Sequence, residues 1–267
     1  MSSSNDNNLA LFCDFENIAL GVRDEKNTVF DINWVLERLL VKGSIVVKKA
    51  YCDWGRYKEF KATMHEAAFE LIDIPHVRQS GKNSADIRMV VDALDLCYTK
   101  SHVNTFVIIS GDSDFSPLVS KLRENAKFVI GVGVKNSTSD LLIKNCDDFI
   151  FYDDIARQQT QKKTPKSSKS PTKKRRTTKP KPKDEKQDGI DQALEVAAAL
   201  NAERGDQDKL WGSMVKQALK RVNPSFNEGY YGFESFSKLL EEAQARGQLD
   251  LELDERSGGY IIRKVVR

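Results

Sequence analysis

At 267 residues the chain suits one medium domain plus a small one, or two of similar size, and 40% apolar residues are enough to bury ordinary cores. It contains no run of about 18 apolar residues, so no membrane-spanning helix is expected; no pair among Cys13, Cys52, Cys97 and Cys146 is C-x-x-C, and His65, His76 and His102 share no ligand spacing, which disfavours zinc and disulfide frameworks. The net charge of +3 conceals an asymmetry: residues 161–183 hold eleven Lys or Arg and no acid, so subtracting them leaves −8 on the rest of the chain.

The polar start MSSSNDNN has no signal-peptide core, so residues 1–8 are expected to be disordered and the protein cytosolic. From residue 9, short apolar runs alternate with helical patterns. The runs are LALFC (9–13), SIVVKKAYC (44–52), FELIDI (69–74), TFVIIS (105–110), KFVIGVGV (127–134) and DFIFY (148–152). Helical patterns occupy 32–40, 57–69, 85–98, 114–125 and 138–146. Near-continuous apolar strands alternating with helices predict an α/β domain, a doubly wound parallel sheet covered on both faces, over residues 9–155.

Residues 156–188 lose apolar periodicity and are rich in Lys, Ser, Thr and Pro, the composition of a disordered basic linker. Such an arm offers salt-sensitive contact with a polyanion or serves as a solubilising spacer. Its K-K-R-R (173–176) has the form of a nuclear-import run, which would matter in a nucleated cell. From 189 to 267, helical stretches at 190–202, 210–222 and 232–247 precede two alternating strands, 248–253 and 259–266. Three helices and a terminal ribbon predict a small winged-helix domain.

The acids stand where such a sheet binds ligands, beyond the carboxyl ends of the strands. Asp14 follows the first strand in D-F-E-N, with Asn17 on the same loop. Asp112 and Asp114 follow the fourth in S-G-D-S-D-F, and Asp86 opens a long helix. If strands one and four are neighbours, three segments deliver carboxylates to one edge. Grouped carboxylates repel, and a hard divalent cation, Mg²⁺ or Mn²⁺, resolves the repulsion and activates water for phosphodiester hydrolysis. Taken singly, Asp14 also fits a turn or cap, and Asp86 and Asp114 fit N-caps. Asp92 is rotated away from Asp86 and reads as a supporting or structural group. Ser110 and Ser113 stand beside the acids or only shape the turn, and Lys82 could steer a phosphate or simply be solvated. Neither Gly111 nor Gly131 with Gly133 makes a nucleotide fingerprint, which disfavours NAD and ATP.

The set D-F-E-N (14–17), K-N-S-A-D-I-R-M-V-V-D-A (82–93) and S-G-D-S-D-F-S-P-L (110–118) resembles the NYN family of PIN-like nucleases over about residues 9–155. The resemblance implies a PIN-like sheet and metal-dependent RNA cleavage, endonucleolytic rather than exonucleolytic, with Asp14, Asn17, Asp86, Asp112 and Asp114 forming the pocket. Many members have Gly-Val-Asp where this chain has Ser-Ala-Asp; the small residue and the acid are kept. Residues 189–265 resemble the OST-HTH, or LOTUS, domain through LWGSMVKQALKRVNPSF (210–226), YGFESFSKLLEEA (231–243) and SGGYIIR (257–263). That resemblance implies a winged helix binding single-stranded or structured RNA. Lys216, Lys220, Arg221 and Arg256 are candidate phosphate contacts, and Tyr230 and Tyr231 could stack on unpaired bases. Alternatively, Tyr231 and Trp211 pack in the core, and the winged helix docks another protein. A non-catalytic RNA-binding scaffold with a vestigial or structural metal pocket is the competing function; membrane partners are not expected.

Overall fold

The computed structural model describes residues 7–26, 30–75, 84–163, 185–204, 209–254 and 257–266. The chain folds as two compact units, Met1–Lys163 and Thr164–Arg267. Among the described residues no helix is long and apolar enough to cross a membrane.

In the first unit, the apolar runs form β1 (Asn8–Asp14), β2 (Ser44–Cys52), β3 (Glu70–Asp73), β4 (Thr105–Ile109), β5 (Phe128–Gly133) and β6 (Asp148–Phe151). They make one parallel sheet in the order β3-β2-β1-β4-β5-β6. This is the arrangement expected of a PIN-like α/β domain. The order reverses at β1, whose two neighbours are β2 and β4, so strands one and four are adjacent.

Successive side chains of a strand point to opposite faces, and each face meets its own helices. Leu9, Leu11, Cys13, Val107 and Ile109 join one buried cluster. It is covered by α1 (Phe15–Lys26), α2 (Ile32–Leu40), α3 (Lys61–Glu66) and, from the far end of the unit, by a helix after β6. Ala10, Phe12, Phe106 and Ile108 join the other cluster, under α4 (Ser84–Thr99), α5 (Ser116–Glu124) and α6 (Asp140–Asn145). The helix after β6 is α7 (Tyr152–Lys163). All four cysteines are free and buried.

Several boundaries differ from those expected of the sequence. Asn8 belongs to β1, where it is in register with Ser44 of β2, and its N–H also donates to Asn104 Oδ1 at 3.0 Å. Helix α1 falls where no helical pattern is apparent. Helix α7 continues past residue 155 to Lys163, its first turn carrying Asp153 and Asp154, the charge that suits a helix N-terminus. Residues 164–184 of the expected linker lie outside the described residues.

The second unit has α8 (Glu185–Arg204), α9 (Gly212–Val222) and α10 (Phe236–Ala245), packed around Ile190, Val215, Leu219, Phe226, Phe236 and Leu239. Its sheet has three strands rather than a two-stranded ribbon. β7 (Leu210–Trp211) and β8 (Leu249–Leu253) flank β9 (Tyr260–Val265), both antiparallel to it. Leu210 and Trp211, expected to start a helix, are extended and pair with Ile262 and Ile261; the helix begins at Gly212. Helix α10 likewise starts later than its apolar pattern, where Ser235 Oγ accepts from Lys238 N at 3.3 Å.

Candidate functional site

The last residue of β1, Asp14, is where the carboxyl edge of the sheet becomes polar. Its Oδ1 accepts from Asn17 N at 3.3 Å, a side-chain turn that starts α1, and its Oδ2 accepts from Ser110 Oγ at 3.0 Å. Ser110, fully buried at the end of β4, accepts in turn from Asp112 N at 3.2 Å. Asp112 Oδ1 then accepts from Asp114 N at 2.9 Å, capping the single 3₁₀ turn that leads into α5. Asn17 Oδ1 reaches across to Gly111 N at 2.8 Å. The loops after β1 and β4 are thereby tied into one hydrogen-bonded unit.

Gly111 is required there. A Cβ on it would lie 2.7 Å from Ser137 O and 3.0 Å from the α-carbon of Thr138. Its carbonyl accepts from Ser139 N at 2.9 Å, so the segment after β5 presses directly on the acid-bearing loop.

Among the described residues, the charges of acids bear on one another at this edge. Burial, then the charge of Asp86, push Asp14 up to about 7, with Asp112 adding to the rise; the Asn17 and Ser110 hydrogen bonds act the other way. Asp86, in the first turn of α4, is also raised, first by burial and then by Asp112, Asp114 and Glu16. Burial and the neighbouring Asp14 raise the Cys13 thiol well above its ordinary value, so it is an inert apolar side chain and not a nucleophile. The structure therefore brings Asp14, Asn17, Asp86, Ser110, Asp112, Ser113 and Asp114 to one edge. Lys82 lies outside the described residues.

Glu16 is a member that the sequence alone does not reveal. It sits in the first turn of α1, adds to the field on Asp86, and pairs with Arg56 at 3.1 Å on the rim. Its signal is the two-residue spacing from Asp14 in D-F-E-N, which is legible only once a helix is known to start at Phe15. Asp92 is held elsewhere. It accepts from Tyr51 Oη at 2.9 Å and Arg88 Nε at 3.1 Å, with Lys49 Nζ at 3.4 Å, and so ties α4 to β2.

Among the described residues, no three His, Cys, Asp or Glu side chains are close enough together to hold a metal ion as they stand. The donor chemistry nevertheless fits a hard divalent cation. Every candidate ligand is an oxygen, three chain segments supply them, and among the described residues the charges that add to burial in raising Asp86 are those of Asp112, Asp114 and Glu16.

In the second unit, the candidate RNA contacts do not form one patch of unengaged cations. Lys216 Nζ pairs with Glu228 at 2.7 Å and lies 6.0 Å from the Phe236 ring centroid, and Lys220 Nζ donates to Pro224 O at 3.2 Å. Arg221 is exposed in the last turn of α9. Tyr231 packs on the core, stacked on Phe226 with centroids 5.3 Å apart, and its hydroxyl accepts from Gln192 Nε2 at 2.8 Å. Tyr230 is half-buried and edge-on to Tyr231. Trp211 is half-buried, its ring beside Gly259. Arg256 lies outside the described residues.

Comparison with known proteins places the first unit in a family. The NYN domain family matches residues 8–153. An uncharacterized protein of Methanocaldococcus jannaschii is 28% identical over 144 residues, an alignment covering 54% of this chain and 54% of that protein, so the chain spans about half the length of the curated relative it matches. The crystal structure of a protein of unknown function from Vibrio parahaemolyticus superimposes with a TM-score of 0.52 at 26% identity, covering 58% of this chain and 98% of that one.

Proposed function

This chain belongs to the NYN domain family, which includes nucleases, through residues 8–153, and from that premise we propose that it is a metal-dependent ribonuclease, cutting RNA internally. The observation that carries the reading is Asp14, a carboxyl group at the turning point of the sheet order, raised to about 7 by burial and by the acids facing it. Carboxylates from three segments whose charges bear on Asp14 and Asp86 suit a cation that arrives from outside.

Asp14, Asp86, Asp112 and Asp114 would hold Mg²⁺ or Mn²⁺. When bound, such an ion activates water and neutralises charge on the phosphate. The chain's own part is orientation. Ser110 fixes one oxygen of Asp14 and the backbone of Asp112 together, and Asn17 locks the Gly111 peptide. The second unit, with three helices and a three-stranded antiparallel sheet, supports a winged helix of the OST-HTH kind that recruits RNA, assisted by the basic segment 156–188 and by the exposed Arg221.

The test is cleavage of labelled RNA and DNA oligonucleotides by wild type and Asp112→Asn, in Mg²⁺, Mn²⁺ or EDTA. Metal-dependent cutting should fall roughly 10²–10³-fold in the variant, the scale on which one preorganised electrostatic group acts, with RNA binding largely retained. Equal cutting by both proteins would sink the assignment. One observation favours a second reading, a non-catalytic RNA-binding scaffold: both Asp14 oxygens already accept protein hydrogen bonds. A folded wild type that binds RNA and cuts nothing in any metal would select it.

A further inference from the structure

Beside the acidic edge runs a cleft of about 480 Å³ lined by Ser113, Asp114, Ser116, Pro117, Ser120 and Leu141. Local structure explains why these residues meet. Residues 113, 116, 117 and 120 recur at helical spacing on one side of α5 and its preceding turn, while Leu118, Val119 and Leu122 take the buried side. Opposite them, Ser139 caps α6, and its first turn buries Leu142 but leaves Leu141 57% exposed. Below the cleft, Ser116 is only 5% exposed and its hydroxyl has no hydrogen-bond partner.

Two properties limit what the cleft can hold. It adjoins the acidic edge through Asp114, which lines the cleft and whose charge acts on Asp86. It lies open to solvent, so it would seat a single sugar against its wall rather than enclose a whole nucleoside. The lining is also selective. Among the described residues no aromatic ring contributes, so they offer no platform for stacking a base. Pro117 and Leu141 offer apolar contact of the kind a sugar's C–H face accepts. Ser113 and Ser120 carry hydroxyls, and Asp114 a carboxylate that accepts a hydroxyl proton.

We propose that this cleft binds the ribose of the nucleotide next to the scissile phosphate and reads its 2′-hydroxyl, so that the choice of RNA over DNA is made by the nuclease unit itself and is indifferent to the base. The inference rests on the nuclease reading for its position, not for its test. With the full chain, methyl NMR of Leu141 is followed in EDTA during titration with uridine 5′-monophosphate or 2′-deoxyuridine 5′-monophosphate. In parallel, Mn²⁺-dependent cutting is measured on RNA and DNA strands of the same sequence. The ribonucleotide should shift Leu141 at about three- to tenfold lower concentration than the deoxyribonucleotide, the range of one net hydrogen bond. Ser120→Ala should narrow that difference and reduce the RNA-over-DNA cutting ratio by a similar factor. Leu141→Ala should raise KM for RNA with little change in kcat. Asp112→Asn should lower cutting by roughly 10²–10³-fold and leave the nucleotide response in place. Equal response of Leu141 to both nucleotides, no response, or an unchanged cutting ratio in Ser120→Ala overturns the proposal. If nothing is cut but Leu141 still discriminates the two sugars, the nuclease reading falls and the ribose cleft stands.

Discussion

At the carboxyl edge of the six-stranded sheet Asp14 and Asp86 are held above their ordinary ionisation range, whereas Glu228, Glu241, Glu252 and Asp254 of the second unit are all held below theirs. Glu228 shows how the second unit does this. Burial pushes it up, but the Lys216 hydrogen bond, a backbone bond and the Lys216 and Lys220 charges together outweigh that push. Glu241 is lowered by Lys238 and Tyr260, Glu252 by Arg263, and Asp254 by the Ser257 hydroxyl and N–H. These four acids of the second unit are satisfied internally, whereas Asp14 and Asp86 are raised by neighbouring acids as well as by burial. Burial alone is not the discriminating feature. Asp154 is raised by burial too, but Lys135 and Arg157 act against the rise, and no acid of the pocket bears on it.

The comparison is most directly broken through Asp14. Its folded-state value of about 7 stands above the ordinary 3.8, so the folded protein binds the extra proton. Stability in EDTA should therefore be fully present below about 3.8 and fall as pH rises through about 7. Asp14→Asn keeps an acceptor for Asn17 N and removes the charge. It should be more stable than wild type above neutral pH by up to about 4 kcal/mol, and equal to it in acid. Some slope should remain, because Asp86 shifts in the same direction. Chemical denaturation across pH checks this, and added Mg²⁺ or Mn²⁺ should stabilise only the wild type. A flat wild-type profile would show that the Asp14 carboxylate is matched in a way the geometry does not reveal.

How much of this was legible beforehand follows from the range of the interactions. Strands β1, β4 and β5 of the first unit were readable because each is a nearly unbroken apolar run, a consequence of being buried on both faces. The acids Asp14 and Asp112 were readable because they directly follow such runs. Glu16 was not, since its position depends on where α1 begins, which the Asp14–Asn17 turn decides. Neither was β7: two residues cannot display alternation, and Leu210 and Trp211 are extended only because β9 offers them a paired edge. The ribose cleft was invisible for the same reason, being formed between α5 and α6, which are separated in sequence by a strand.

A smaller effect is expected where the acid is already satisfied. In Lys216→Met the Glu228 carboxylate loses its hydrogen-bonded cation while staying partly buried, at 18% side-chain exposure. Because the ammonium is 43% exposed and screened, the loss at neutral pH should be about 1 kcal/mol. The pH dependence has the opposite sign to that of Asp14. A lowered Glu228 stabilises above the ordinary 4.5 and ceases to do so as pH falls through its folded value, so wild type and variant should converge in acid. Convergence at high pH instead would remove the contrast between the two units.

The smallest effect separates cations that are committed to the fold from those available to RNA. Arg221 is exposed at the end of α9, while Lys216, earlier on the same helix, is engaged by Glu228. A cation that contacts a phosphate releases a counterion, so removing it flattens the dependence of affinity on salt by about 0.7 for a single strand. Arg221→Gln should show that change with single-stranded RNA and leave thermal stability unaltered. Lys216→Met should change the salt dependence less, because its charge is already spent on Glu228. If the two variants flatten the salt dependence equally, the Lys216–Glu228 pair opens on binding, and pairing in the free protein is then no guide to which side RNA meets. If neither does, the RNA contact lies off this helix, and recruitment has to be sought in the basic segment between the units.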